Sequence, residues 1–165
     1  MFKKILQEAK KNERQVAGFL RDLIAIRSFS SKEGDVIQRV KKEMEKCRFD
    51  EITIDPMGNI IGRIGKGKHV IAMDAHVDTV DVGNPANWKI DPFQGEEKDG
   101  IIYGRGACDM KGALASIIYG GKIIKDLGLE DDYTLYVVGS VQEEDCDGLC
   151  WQYIINEDKL RPDVV

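Results

Sequence analysis

From residue 3 to residue 27 the apolar side chains keep helical spacing, with Val16, Phe19, Leu20, Leu23 and Ile26 on one face. A repeat of three to four residues is that of an amphipathic helix packed on a core. Ser28 to Gly34 breaks the repeat. A second amphipathic helix follows, its apolar face made by Val36, Ile37, Val40, Met44 and Cys47. The pattern then shortens to three strand signals at 51–55, 59–64 and 69–74. Asp55-Pro56-Met57-Gly58-Asn59 supplies a turn between the first two, and the glycines and lysines of 65–68 read as a hairpin turn before the third. Val80 to Gly100, with Pro85, Trp88 and Pro92, reads as a long loop, and loops of that length are more often functional than incidental. A helix is expected over 112–127, with Ile117, Ile118 and Ile124 on its apolar face and Gly112, Ala113, Ala115, Gly120 and Gly121 allowing close approach to a sheet. Tyr133 to Val141 is rich in aromatic and branched residues and reads as a strand. Another helix is expected from near Gly148. Alternating helices and strands of this kind predict an α/β sandwich.

Composition narrows the classes. At 165 residues the chain has room for one domain with a substantial core. Lys+Arg 24 against Asp+Glu 29 gives a net charge of −5, which offers no electrostatic footprint for nucleic acid. No apolar run approaches the roughly 18 residues of a membrane-spanning helix, and the first residues lack the uncharged core of a signal peptide. The expectation is a cytoplasmic protein without membrane or nucleic-acid partners. Cys47, Cys108, Cys146 and Cys150 form no C-x-x-C pair and read as reduced thiols. Cys108, Cys146 and Cys150 fit no known zinc-thiolate spacing. Cys108 and Cys146 are expected to be small buried residues near the site, with Cys108 sensitive to oxidation.

The candidate chemistry begins at Ala72-Met73-Asp74-Ala75-His76-Val77-Asp78. In an extended segment residues i and i+2 point to one side, so the His76 ring and the Asp78 carboxylate can meet. A metal-bound histidine usually gives its second ring N–H to such a carboxylate. Asp74, one strand period earlier, is expected to make a hydrogen bond rather than bind metal. Asp109, in Gly104-Arg105-Gly106-Ala107-Cys108-Asp109-Met110-Lys111-Gly112, and the pair Glu143-Glu144 also adjoin apolar stretches. Gathering such groups at one sheet edge calls for a divalent cation, and Asp109 has two oxygens with which to bridge a pair of them. Of Glu143 and Glu144, one can bind metal while the other faces a water as general base.

Each motif also has a plainer reading. Asp109 alone would serve as a helix N-cap, and Glu143 to Asp147 as a solvated acidic turn. Gly62-Arg63-Ile64-Gly65-Lys66-Gly67-Lys68-His69 nearly matches a phosphate-binding loop, which keeps a nucleotide-binding domain as an alternative. His69, however, replaces the hydroxyl that binds magnesium, and a strand follows where a helix should. Arg105 is open to pairing either with a carboxylate near the site or with substrate.

The order His76-x-Asp78, Trp88, Asp91-Pro92-Phe93, Asp99-Gly100-x-x-Tyr103-Gly104-Arg105-Gly106-x-x-Asp109-Met110-Lys111-Gly112, then Glu143-Glu144, resembles the di-zinc peptidases and amidohydrolases. These include acetylornithine deacetylase, succinyl-diaminopimelate desuccinylase, aminoacylase and the carnosinase-like dipeptidases. Gln142 to Trp151 looks most like the selenium-metabolism-linked hydrolase branch. The resemblance implies a three-layer α/β/α sandwich of the zinc-exopeptidase type and a cofactor of two divalent ions, zinc, with cobalt or manganese as alternatives. It implies that His76 and Glu144 each bind one metal, that Asp109 bridges both, that Asp78 holds the His76 ring and that Glu143 is the base. The substrate would be a small amide or peptide. A further carboxylate and a distant histidine complete the family's ligand set, and neither Asp163 nor His69 is placed to supply them. Residues 1–165 are therefore expected to be the N-terminal portion of the catalytic domain, without the lid and dimerisation domain through which the full-length protein would form a homodimer. A catalytically incomplete metal-binding fragment is the alternative.

Overall fold

The computed structural model describes all residues from Met1 to Val165. Both amphipathic helices form where the apolar repeat puts them, α1 over Phe2–Ala25 and α2 over Gly34–Lys46. The three strand signals become β1 Glu51–Ile54, β2 Ile60–Gly65 and β3 His69–His76. The segment expected to be one long loop is partly ordered: a 3₁₀ turn at Pro85–Asn87 precedes β4 Glu96–Lys98, which pairs antiparallel with β5 Ile101–Tyr103. Then come α3 Gly112–Leu127, β6 Tyr133–Ser140, the single turn α4 Glu143–Cys146 and α5 Leu149–Asn156.

The sheet corrects one expectation. Its order is β1-β2-β6-β3, so β2 and β3 are not hairpin partners. β6 lies between them, antiparallel to β2 and parallel to β3. The 65–68 segment therefore crosses the end of β6. The Gly67 N–H donates to the Tyr133 carbonyl at 3.2 Å, and Thr134 Oγ1 donates to the Gly67 carbonyl at 2.7 Å. A Cβ on residue 67 would stand 2.0 Å from the Tyr133 nitrogen, which explains the glycine. The segment leads into β3, and Asp50, Glu130 and Asp131 line the hollow beside Lys66. With no helix N-terminus and with carboxylates around it, this loop does not cradle a phosphate, and the nucleotide-binding alternative falls.

Strand alternation divides the core into two faces. Ile60, Ile64, Leu135 and Val137 join Phe19, Leu23, Val36, Val40, Met44, Leu114 and Ile118 from α1, α2 and α3 in the main cluster. Ile61 and Val138 turn the other way, onto Ile154 of α5, with Trp151 and Leu160 alongside. Helices thus cover both faces, making a three-layer α/β/α sandwich. Near the C-terminus Val164 forms a parallel bridge with Ile71, beside β3. No helix is long and apolar enough to cross a membrane.

Candidate active site

Because β3 and β6 are parallel neighbours, with His76 opposite Ser140, their C-terminal ends leave the sheet at the same edge. α/β sheets bind ligands at that edge. β3 ends on His76 and continues through Asp78, while β6 runs into Glu143 and Glu144. The connection between the two strands passes through α3, and the turn before that helix brings in Asp109.

The turn Ala107–Lys111 is not regular helix at its centre: Asp109 has φ −120° and ψ 99°, and its peptide bond to Met110 is cis. α3 starts after Lys111 and has no side-chain cap, so Asp109 is not an N-cap. Its side chain is 78% exposed and meets the His76 Nε2 atom at 3.0 Å through Oδ1. Glu143 Oε2 stands 3.8 Å from the same nitrogen. The ligand atoms of His76, Asp109 and Glu144 all lie within 4.8 Å of one another.

The ring of His76 is buried, and its Nδ1 lies 3.0 Å from the Asp78 main-chain carbonyl and 3.5 Å from Asp78 Oδ1. The main-chain oxygen is thus the nearer acceptor for the Nδ1 proton, which leaves Nε2 as the nitrogen open to a metal. Burial alone would depress the imidazolium, but Asp78 and Asp109 outweigh it and raise the pKa to about 9. The Asp78 carboxylate is fully buried and works mainly on the backbone: Oδ1 accepts the Glu143 N–H at 3.2 Å and Oδ2 the Glu144 N–H at 3.1 Å. Ser30 Oγ also donates to Oδ2, at 2.7 Å. Desolvation would raise the Asp78 pKa, but His76, Ser30 and the two amides together hold it below the ordinary carboxylate range.

The donor chemistry suits a divalent ion. One imidazole nitrogen and carboxylate oxygens converge, and the only compensating charge beside them is the proton on His76. A first-row divalent metal prefers such nitrogen and oxygen donors and would replace that proton.

Several neighbours have other work. Trp151 Nε1 donates to Asp74 Oδ2 at 2.8 Å, and burial raises the Asp74 pKa. Arg105 makes no carboxylate pair; its Nη2 donates to the Asp81 carbonyl at 2.9 Å and its guanidinium stands 5.2 Å from the Trp88 ring centroid, closing the 81–88 loop. Cys108 and Cys146 are exposed, contrary to the expectation of burial, while Cys47 and Cys150 are buried. His69 begins β3, at the end opposite His76, and there Asp163 accepts the Val70 N–H at 2.8 Å. Ser30, Glu33 and Lys111 were not singled out from sequence, because each acts on groups distant in the chain. Ser30 lies 48 residues from Asp78. Lys111 was visible only as part of a motif. It is 1% exposed and donates to the Leu23 and Ile26 carbonyls, and burial pulls its pKa down to about 8.

Comparison with known proteins follows the same outline. A sequence model of peptidase family M20/M25/M40 matches residues 72–165. The chain is 57% identical over 164 residues to the uncharacterized protein YgeY of Escherichia coli (strain K12), covering 99% of this chain and 41% of YgeY. It is 34% identical over 110 residues to a probable succinyl-diaminopimelate desuccinylase of Staphylococcus aureus (strain Mu50 / ATCC 700699), covering 65% of this chain and 28% of that protein. Among solved structures, the dipeptidase Dug1p of Saccharomyces cerevisiae matches with a TM-score of 0.79 at 22% identity, over 94% of this chain and 37% of its own. YXEP of Bacillus subtilis, a dinuclear metal-binding peptidase, matches with a TM-score of 0.61 at 19% identity, over 89% and 41%. The structural likenesses show a shared fold, and the chain spans less than half of each of these proteins.

Proposed function

This chain belongs to peptidase family M20/M25/M40, and on that footing we propose that it forms the metal-binding part of a hydrolase that cleaves an amide bond in a peptide or an N-acyl amino acid. The observation that carries this reading is the convergence of His76, Asp109 and Glu144 within 4.8 Å of one another, with Glu143 beside the same ring nitrogen. The dinuclear peptidase and the desuccinylase among the similar proteins support it.

In this reading His76, Asp109 and Glu144 would hold two divalent ions, zinc with cobalt or manganese as alternatives, with Asp109 the ligand that would be shared between them. When bound, such ions polarise a carbonyl and acidify water. Asp78 keeps the Nδ1 side of His76 engaged, so that Nε2 would be the atom offered to a metal. Glu143 takes a proton from the attacking water as its oxygen bonds to the amide carbon. It returns that proton to the nitrogen as the carbon–nitrogen bond breaks, leaving an amine and a carboxylic acid. Its side chain is 43% exposed, which lets substrate reach it. Three donor side chains are few for two ions. The longer relatives therefore support treating residues 1–165 as the N-terminal portion of the catalytic domain, with the remaining ligands and a lid and dimerisation domain elsewhere in the full protein.

The test is Glu143→Ala in the metal-loaded full-length protein, assayed against dipeptides and N-acyl amino acids. Loss of the base should lower kcat by about 10²–10⁴-fold with metal stoichiometry unchanged. Unchanged turnover removes Glu143 from the role, and a wild-type protein that binds no divalent metal removes the whole reading.

A further inference from the structure

Gln142, the residue before the proposed base, has φ 55° and ψ 32°. This left-handed conformation costs a residue other than glycine on the order of 1 kcal/mol and persists only where its surroundings over-determine it. Here the two peptide planes flanking the Gln142 Cα are each held by a buried carboxylate. On the N-terminal side, Glu33 accepts the Gln142 N–H through Oε1 at 3.1 Å. On the C-terminal side, Asp78 accepts the Glu143 N–H at 3.2 Å. Relaxing φ or ψ of Gln142 would pull one of these two amides off its buried acceptor. Glu33 is 6% exposed and reaches across 109 residues of chain to make this contact. The same Oε1 accepts the Ser31 N–H at 2.9 Å, so the segment between α1 and α2 holds Glu33 in place, just as Ser30 holds Asp78.

We propose that Glu33 is a positioning residue for the Glu143 carboxylate: by holding the Gln142 amide it maintains the left-handed turn that aims Glu143 at the His76 ring. The proposal rests on the reading of Glu143 as the base. What Glu33 supplies is an accepting oxygen at a fixed point, not a charge in contact with substrate. A misaimed base loses rate without losing substrate affinity.

The experiment compares Glu33→Met, which keeps size but has no acceptor, with Glu33→Gln, which keeps one. Two readouts are taken on the metal-loaded protein: amide hydrogen exchange over residues 140–146, and kcat and KM on an amide substrate. Glu33→Met should speed exchange of the 142–144 amides about tenfold. At saturating metal it should also lower kcat about tenfold, with KM within about twofold. Glu33→Gln should stay within about threefold of wild type in both readouts. Native exchange in Glu33→Met overturns the proposal, as does a Glu33→Gln variant equally impaired. If Glu33→Met fails to fold, adding Gln142→Gly should restore folded protein, because glycine adopts the left-handed turn without steric cost. The 142–144 amides of that pair should still exchange fast, and protection there overturns the proposal. If the wild-type protein hydrolyses no amide, the base reading fails by itself, while exchange still decides whether Glu33 holds the turn.

Discussion

The ammonium of Lys111 donates to the main-chain carbonyl of Leu23 at 2.8 Å, tying the turn that carries Asp109 to the C-terminal end of α1. It also donates to the Ile26 carbonyl at 3.0 Å. α1 has no basic residue in its own last turn, so the cation that complements its dipole comes from a position 88 residues away. The site turn and the longest helix are one unit.

Lys111→Met should test that unit. Methionine fills much of the same space but leaves the two carbonyls without a donor in a dry setting. The expected loss is about 1–3 kcal/mol, read as a lower urea midpoint. Metal affinity should fall as well, because Asp109 sits two residues away on the same turn. A midpoint equal to wild type would show that the buried ammonium does not hold α1.

Two adjacent glycines of α3 should respond in opposite directions. A Cβ on residue 121 would stand 2.7 Å from Ile64 Cδ1 and 3.0 Å from Phe49 Cζ, so Gly121→Ala must displace these two packed core side chains. The cost is about 1–3 kcal/mol. Gly120 has nothing within 4 Å of the same position, so it does not serve the close approach expected of it. Gly120→Ala should raise stability by about 0.5–1 kcal/mol through helix propensity. Thermal melts of both variants decide this, and a destabilised Gly120→Ala would contradict it.

Legibility from sequence followed the kind of contact involved. α3 and the amphipathic faces of α1 and α2 were readable because burial imposes a period on a single segment. Strand neighbours were not: the alternation in β2 or β3 says which face is buried but not which strand lies beside it, and so β6 between them came as a correction. The β4–β5 hairpin, three residues to a strand, was too short to stand out. At the site, His76, Asp109 and the Glu143-Glu144 pair carry side-chain chemistry and were visible as residue types. Ser30 bonds a carboxylate 48 residues away, while Asp78 works partly, and Glu33 and Lys111 wholly, by bonding main-chain groups, and a main-chain partner leaves no mark on residue identity.

The pH dependence of stability should show the Asp158 carboxyl. Burial, then the hydrogen bond and charge of Asp55, then the charge of Glu157, raise its pKa from 3.8 to about 6. A raised folded-state pKa favours the protonated form, so its contribution to stability is complete below about pH 4 and is lost as pH rises through 6. Asp158→Asn removes the ionisable form. It should raise the Tm at pH 7 and leave it unchanged at pH 4, with a small gain because the group is largely exposed. An equal effect at both pH values would rule out titration as the cause.

Metal removal gives the last test, and the burial of the ligands makes it selective. A metal that binds only the folded state at about 100 times its Kd adds about 2.7 kcal/mol. For a domain of this size that is about 5–10 °C in Tm. A chelator should therefore lower the wild-type Tm by that amount. The Asp109 side chain is 78% exposed, so Asp109→Ala should melt close to the chelated wild type and gain nothing from added zinc. His76 is 4% exposed and bonded on both ring nitrogens, so His76→Ala should melt lower still, by a further 2 kcal/mol or more on the order expected for emptying a buried site. It too should be indifferent to zinc. The ordering wild type with zinc, then chelated wild type with Asp109→Ala, then His76→Ala, follows from one exposed ligand and one buried ligand sharing an ion. A wild-type Tm that ignores both chelator and zinc would show that these residues hold no metal.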